Sequence, residues 1–353
     1  MQAGRPPGDG RSPGGLPPRA PGLDVEAFMI LVTGANGYVG AHLVARLRGD
    51  GAAVRALVRR GCPEDEKAFL RAAGAELVEA EIEEAPLLSR ALSGVETVVH
   101  LLGSIERPRS GGYRGMHTAK TAILVGAFRD AAAARADRGG RGGGRVVYLS
   151  ALGASASAAN EYSRTKGEAE ERIARSGLGH VIVRSSLIFG RETGGRDSKI
   201  VMKLAGLAAS GRPVPLVGGG RNRLQPIYIA DLVSCLRAAI AAEGRRSEVW
   251  DVGGPEVLTL REVAGKLMRM LGNGRGVVGI PYPLAYALAW CARLARAEGR
   301  LNLEQVRMSR HDAVCGVNAA YAACGGRLTS FDAGMQMTVR KFGAGALTGG
   351  ARR

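Results

Sequence analysis

The stretch TGANGYVG, Thr33 to Gly40, constrains this chain more than any other. It spaces Gly34, Gly37 and Gly40 as G-x-x-G-x-x-G. Before it lies a short apolar run, Met29 to Thr33; after it, from Tyr38 to Leu47, apolar residues recur at helical spacing. In a strand-turn-helix unit the first such glycine permits the tight turn. The second lets the backbone approach a pyrophosphate, and the third lets the helix pack on the strand. The free N–H groups and the dipole of a helix opening near Tyr38 then face an anion. Thr33, Gly34, Asn36, Gly37, Tyr38, Val39 and Gly40 are thus expected to border a dinucleotide.

The pattern around the turn repeats. Apolar, β-branched runs at Ala53–Arg59, Ala75–Ile82, Val95–Gly103, Arg145–Ser150 and His180–Phe189 alternate with helical stretches at Glu66–Ala73, Leu87–Ser93, His117–Ala136 and Tyr162–Ser176. Such alternation predicts an α/β fold with a Rossmann-type, doubly wound parallel sheet. Strands as apolar as VETVVHLL fit a sheet covered on both faces. RGGRGGGR, Arg138 to Arg145, reads as a surface loop. After Gly190 the texture changes to loops and helices, which predicts a smaller, discontinuous C-terminal substrate domain. The expected division is a nucleotide-binding domain over 29–190 and a mixed domain over 191–335. Residues 225–253 return to the sheet through QPIYI and EVWDV, with a helix opening near Asp231, read as its N-cap. Residues 1–28, rich in Pro, Gly and Arg, read as a disordered extension or a mis-assigned start before Met29, and 336–353 as a flexible tail.

Composition narrows the class. At 353 residues, 46% hydrophobic and 23% charged, the chain can bury a full core. No apolar run approaches the roughly 18 residues that span a bilayer. The densest, Pro281 to Trp290, reads as a buried or interfacial helix, with Trp290 and Trp250 expected in the core. The net charge of +17 comes mostly from arginines scattered over every segment. Since clustering marks a nucleic-acid surface, the surplus reads as compositional bias, and no nucleic-acid partner is expected. Five cysteines without a C-x-x-C pair fit a reducing cytoplasm. The histidines share no metal-ligating spacing, and Arg221 and Arg223 read as part of a solvated loop.

Two further features carry chemistry. The second strand ends Leu57-Val58-Arg59-Arg60, with no acid until Glu64. A carboxylate there would bond ribose hydroxyls and repel a 2′-phosphate, whereas a guanidinium pairs with the phosphate. Arg59 and Arg60 therefore favour NADP(H) over NAD(H). Tyr162 and Lys166 stand four apart at a helix start, on one face. The ammonium is expected to lower the tyrosine pKa, so that the phenol exchanges a proton with a substrate hydroxyl. Ser150, ending a strand at the ligand-binding edge, is expected to orient the substrate oxygen.

With these pieces in order, residues 29 to about 335 resemble the short-chain dehydrogenase/reductase superfamily in its extended, epimerase/dehydratase-like branch. HLLG at His100–Gly103, RSSLIFG at Arg184–Gly190, QPIYIADL at Gln225–Leu232 and VWDVGGPEVLTLREV at Val249–Val263 extend the match. The last two, with LEQVRMSRHDAV at Leu303–Val314, are most similar to the NAD(P)-binding proteins related to an accessory subunit of respiratory complex I. The resemblance implies that Glu81 touches adenine. It also implies that Leu101, Leu102, Gly103, Tyr162, Lys166 and Arg184 border the cofactor, and that Ser150, Tyr162 and Lys166 are catalytic. Departures from the pattern include His117 for the usual helix asparagine, Ser185 for a proline, and Ser150-Ala151 for a run of serines.

Two functions remain open. One is an NAD(P)-dependent oxidoreductase or nucleotide-sugar epimerase/dehydratase acting on an unidentified small molecule. The other is a non-catalytic NADP(H)-binding module associated, at the membrane periphery, with a respiratory complex. Substrate and oligomeric state are not readable from the residues.

Overall fold

The computed structural model describes residues 28–104, 111–137, 143–242, 247–294 and 303–343. The first unit runs β1 (Met29–Thr33), α1 (Tyr38–Gly49), β2 (Ala53–Val58), α2 (Glu64–Ala72), β3 (Glu76–Glu79), α3 (Ala85–Leu92) and β4 (Val95–His100). A π-helical turn (Arg114–Ala119) leads into α4 (Lys120–Asp137), followed by β5 (Arg145–Ala151), α5 (Glu161–Ala174) and β6 (Gly179–Ser185). The first four strands begin where the apolar runs predict, to within one residue. The segments expected at 1–27 and, in part, at 138–145 lie outside the described residues.

Seven strands form one parallel sheet in the order β3-β2-β1-β4-β5-β6-β11, the last being Ser247–Val252. The order reverses between β1 and β4, which opens a crevice at their C-terminal ends. Leu101 N donates to Thr33 O at 3.2 Å across it. One face of the sheet is covered by α1 and by α7 (Ile229–Ala241), with Leu43, Val44, Leu47, Leu232, Leu236 and Trp250 in the core. The other is covered by α3, α4 and α5, with Leu88, Leu124, Phe128 and Ile173.

The rest of the chain departs from the simplest reading. The sixth strand, expected as His180–Phe189, breaks after Ser185; β7 (Ile188–Phe189) leaves the sheet to pair with β10 (Ile227–Tyr228). It does so to enter a second core, where Phe189 joins Leu204 of α6 (Lys199–Ala209), Leu216 of β8 (Val214–Val217) and Leu267 of α8 (Leu260–Met270). Two short pairings complete this layer, β9 (Arg223–Leu224) with β12 (Leu258–Thr259) and β13 (Val277–Ile280) with β8. The helices α9 (Tyr282–Leu294), α10 (Leu303–Met308), α11 (Ala320–Ala323) and α12 (Phe331–Gly343) follow. Of the tail expected over 336–353, residues 336–343 instead continue α12, which Phe331 and Met335 lock into the second core; 344–353 lie outside the described residues. Asp231 is not the cap of α7, which opens one turn earlier after Tyr228. Its carboxylate instead accepts from Thr329 N (2.7 Å) and Oγ1 (3.2 Å), tying the C-terminal segment to α7. Among the described residues no helix is long and apolar enough to cross a membrane.

His100 fastens the crevice. It is wholly buried, hydrogen-bonded through Nδ1 to Thr33 Oγ1 (2.7 Å) and through Nε2 to Thr121 Oγ1 (2.9 Å), and stacked on Tyr148. One side chain thus joins β1, β4, β5 and α4. Burial, aided by the Lys166 charge, lowers its pKa from 6.5 to about 3. Below pH 6.5 the unfolded chain takes up a proton that the folded one refuses, so stability falls as pH drops toward 3, by about 1.4 kcal/mol per pH unit for this group. Thermal unfolding followed from pH 7 to pH 4 is expected to show that decline, and His100→Gln to make it shallower. An unchanged slope in the variant would refute the assignment.

Candidate active site

The glycine turn is built from contacts that leave no room for side chains. Gly34 sits at φ +67°, and Gly37 N donates to its carbonyl at 2.9 Å. A Cβ on Gly40 would overlap that same carbonyl oxygen and lie 2.8 Å from Ala35 Cα. Helix α1 therefore opens against the end of β1, with Gly37 as an N-cap lacking a side-chain acceptor and with no acid in the first turn. The N–H groups of Tyr38, Val39 and Gly40 are left at the positive end of the helix dipole, facing the crevice. A pyrophosphate fits this cradle. The neighbouring side chains brace it from behind. Thr33 holds His100, and Asn36 Nδ2 donates to Glu66 Oε2 at 2.7 Å, the other Glu66 oxygen being paired with Arg196 at 2.7 Å. Tyr38 places its ring edge-on to His42, its buried hydroxyl without a hydrogen-bond partner among the described residues.

At the end of β2 the two arginines part company. Arg59 is exposed and has no side-chain partner among the described residues. Arg60 is paired with Glu84 at 2.6 Å, and Glu84 also accepts from Glu81 N at 2.8 Å. The Glu81 carboxylate meets Lys120 at 3.2 Å. So Arg59 alone offers a free guanidinium, while Arg60 and Glu81 are engaged in ion pairs that a ligand would have to share.

Across the crevice stands α5. Asn160 caps it, its Oδ1 accepting from Ser163 N at 2.7 Å, which starts the helix in register to bring Tyr162 and Lys166 onto its inward face. Lys166 is 4% exposed. Its Nζ donates to Leu149 O at 2.8 Å and lies 4.7 Å from the Tyr148 ring centre. Burial lowers its pKa to about 8, with the Glu170 charge opposing. A Cβ on Gly103 would stand 3.1 Å from Nζ and 3.5 Å from His117 Nε2, so glycine keeps the floor between them open. Leu101 and Leu102 extend β4 along that floor, half-buried against opposite faces of the sheet.

Tyr162 is half-buried and meets His117 and Tyr113 edge-on, at ring-centre distances of 5.4 and 5.7 Å. Its hydroxyl makes no hydrogen bond among the described residues, and burial pushes its pKa up to about 12. This reverses the expected lowering: loss of hydration raises the value, so the phenol is a proton donor at neutral pH. His117 occupies the asparagine position with Nδ1 2.9 Å from Thr165 Oγ1, a hydroxyl that donates to Glu161 O at 2.9 Å. With that hydroxyl acting as a donor to the backbone, Nδ1 carries the histidine proton and Nε2 is an acceptor facing the crevice, 3.5 Å from Ser104 N. Burial, then the Lys166 charge, lowers its pKa to about 2, so it stays neutral. The π-helical turn beneath it sets this angle, and such turns recur at functional sites.

Two expectations are corrected. Ser150 does not face the crevice: its hydroxyl donates to Glu170 Oε1 at 2.5 Å. Arg184 is drawn to the same carboxylate, through Nε at 3.0 Å and Nη2 at 2.5 Å. Glu170 is 6% exposed, and both donors satisfy its buried oxygens. Side chains alternate along β5, so the pleat that turns Ser150 toward Glu170 gives the next position on its own face to Leu152. Glu170 and Tyr113 were not singled out from sequence, though each stands four residues from a residue that was, Lys166 and His117. Among the described residues no cluster of His, Cys, Asp or Glu could hold a metal.

Comparison with known proteins agrees with this geometry. Residues 30–253 match the model of the NAD dependent epimerase/dehydratase family. The chain is 30% identical over 291 residues to 2-alkyl-3-oxoalkanoate reductase of Stenotrophomonas maltophilia, covering 75% of this chain and 82% of that one. It is 26% identical over 272 residues to the mitochondrial NADH dehydrogenase [ubiquinone] 1 alpha subcomplex subunit 9 of Arabidopsis thaliana. That alignment takes in 75% of this chain but only 63% of the subunit's length. In fold it is similar to MoeE5 solved with UDP-glucuronic acid and NAD (TM-score 0.66, 22% identity, 89% of this chain and 99% of that one). It is equally similar to a UDP-glucose 4-epimerase of Thermotoga maritima (TM-score 0.66, 19% identity, 90% and 99%). On the match over residues 30–253 and the 30% identity to the reductase, the chain belongs to the NAD dependent epimerase/dehydratase family.

Proposed function

We propose that this protein is an NADP(H)-dependent reductase of the extended short-chain dehydrogenase type, in which Tyr162 gives a proton to a carbonyl oxygen of the substrate. The observation that carries the proposal is the Tyr162 phenol, without a hydrogen-bond partner among the described residues, on the same helix face as buried Lys166. When bound, the dinucleotide supplies a hydride. The α1 N–H groups hold its pyrophosphate, Arg59 its 2′-phosphate, and Gly103 leaves space for it beside Lys166. Tyr162 donates its proton as negative charge develops on the substrate oxygen, and the Lys166 ammonium stabilises the phenolate left behind. His117, neutral and with Nε2 accepting from Ser104 N, keeps a second positive charge out of the site. The 30% identity to a reductase supports this direction of reaction. In this reading the protein works in the cytoplasm, its five cysteines free.

A second reading is favoured by Ser150. With its hydroxyl held by Glu170, the site lacks a hydroxyl at that position to orient a substrate. The protein would then be an NADP(H)-binding module of a respiratory membrane assembly, as its likeness to the alpha subcomplex subunit suggests.

Three measurements separate these readings. Mass spectrometry of the nucleotide released from purified protein is expected to find NADP(H); NAD(H) alone would sink the role of Arg59. Arg59→Ser is expected to weaken NADPH binding by about ten- to a hundredfold, the worth of a charge-assisted bond, and to leave NADH binding unchanged. Tyr162→Phe is expected to lower carbonyl reduction by about 10²–10⁴-fold with nucleotide retention intact. Reduction by the wild type should hold steady at neutral pH and fall as pH passes about 8, where Lys166 gives up its proton. A Phe variant as active as the wild type on every carbonyl it reduces would leave the binding-module reading standing.

A further inference from the structure

Helix α9 is built the wrong way out for a water-facing helix. Its buried residues are the small ones, Ala285 and Ala289, which pack with Val306 of α10 in a satellite cluster separate from both main cores. Its tyrosines, Tyr282 and Tyr286, pack partly against that cluster, but its leucines and its tryptophan face outward: Leu284 is 51% exposed, Leu288 47%, Trp290 58% and Leu294 68%. Trp290 thus overturns the expectation that it is a core residue. At 3.6 residues per turn these four, with Ala287 and exposed Cys291 between them, sweep an arc of about 160° on one side of the helix. Val278, on the preceding strand β13, is 53% exposed. Singly exposed apolar residues are ordinary, but a contiguous stripe of this kind marks a surface that is covered in use.

Charge identifies the cover. From Asn273 to Leu294 the sequence holds Arg275 and Arg293 and no acidic residue. Both arginines are exposed, and exposed Arg310 lies over the Tyr282 ring at the base of the helix, 5.4 Å from its centre. The nearest acid on α10, Glu304, is turned inward, pairing with Arg307 and accepting from Glu161 N at 2.7 Å. The stripe is therefore apolar at its centre and aromatic at one margin, with no acid on its own helix and three exposed arginines on this helix and the segments flanking it, on a chain of net charge +17. At 13 residues, α9 is too short to cross a bilayer, which takes about 20. That combination belongs to a helix lying in the plane of a membrane, its apolar face among acyl chains and its arginines among anionic headgroups.

We propose that the outward face of α9 docks on an anionic lipid bilayer and holds the protein at the membrane surface. This goes beyond the reading of the nucleotide site and holds for either function, because none of its residues touches that site.

The test is co-sedimentation of the full chain with vesicles of phosphatidylcholine alone, or of phosphatidylcholine mixed with phosphatidylglycerol. Wild type is expected to sediment with the mixed vesicles and about tenfold less with the neutral ones, added salt narrowing the difference. The chain has two tryptophans, of which Trp250 is buried, so a blue shift in emission on adding vesicles reports Trp290 entering the bilayer. Leu284→Glu with Leu288→Glu is expected to cut binding at least about tenfold and remove the blue shift, while nucleotide retention and thermal midpoint stay as in wild type. Undiminished binding by the double variant would overturn the proposal. So would a wild type that ignores anionic vesicles, whether it is then monomeric or, by light scattering, dimeric through the same face.

Discussion

The contact of Gly40 with the Gly34 carbonyl is the constraint from which the rest of the site follows. Because nothing larger than hydrogen fits there, α1 meets the end of β1 at the closest distance two backbones allow. That approach fixes where the helix dipole ends, at the place where strand order reverses between β1 and β4. The crevice is thus located by sheet topology and given its charge by a helix. Side chains of the turn contribute mainly from behind, Asn36 through Glu66 and Thr33 through His100.

On the far side of the crevice the governing effect is desolvation. Lys166, His100 and His117 are buried within one small volume, and each is pushed toward its neutral form by burial. The two histidines yield completely and the lysine only in part, because Glu170 sits one helical turn below it. Glu170 is in turn held by Arg184 and Ser150. Its charge opposes the burial that lowers the Lys166 pKa, and the serine expected to serve the substrate bonds this ion pair instead.

Sheet, helices and glycine turn were readable because their signals are local: periodicity, strand length and glycine spacing act over a few residues, and β1, β2 and β4 begin where their apolar runs begin. Tyr162 and Lys166 were readable for the same reason, four residues apart on one helix. What escaped depends on partners distant in sequence. The inward turn of Ser150 is decided by Glu170, the occupation of Arg60 by Glu84, and the break after Ser185 by Ile227 and Tyr228. The raised pKa of Tyr162 is a sum over everything that excludes water from it. Trp290 misled because apolar composition says nothing about which face of a helix finds a partner.

The position of β11 bears on how the protein is made. β11 completes the sheet beside β6, yet the residues between them form much of the second layer. During synthesis β6 therefore emerges with one edge unpaired, a row of backbone donors and acceptors on an apolar strand, GHVIVRS, until Val252 has left the ribosome. An edge of that kind templates pairing with other chains, so the vulnerable interval in the life of this molecule is its own translation. A gene fragment ending at the domain boundary near Gly190 would make that interval permanent.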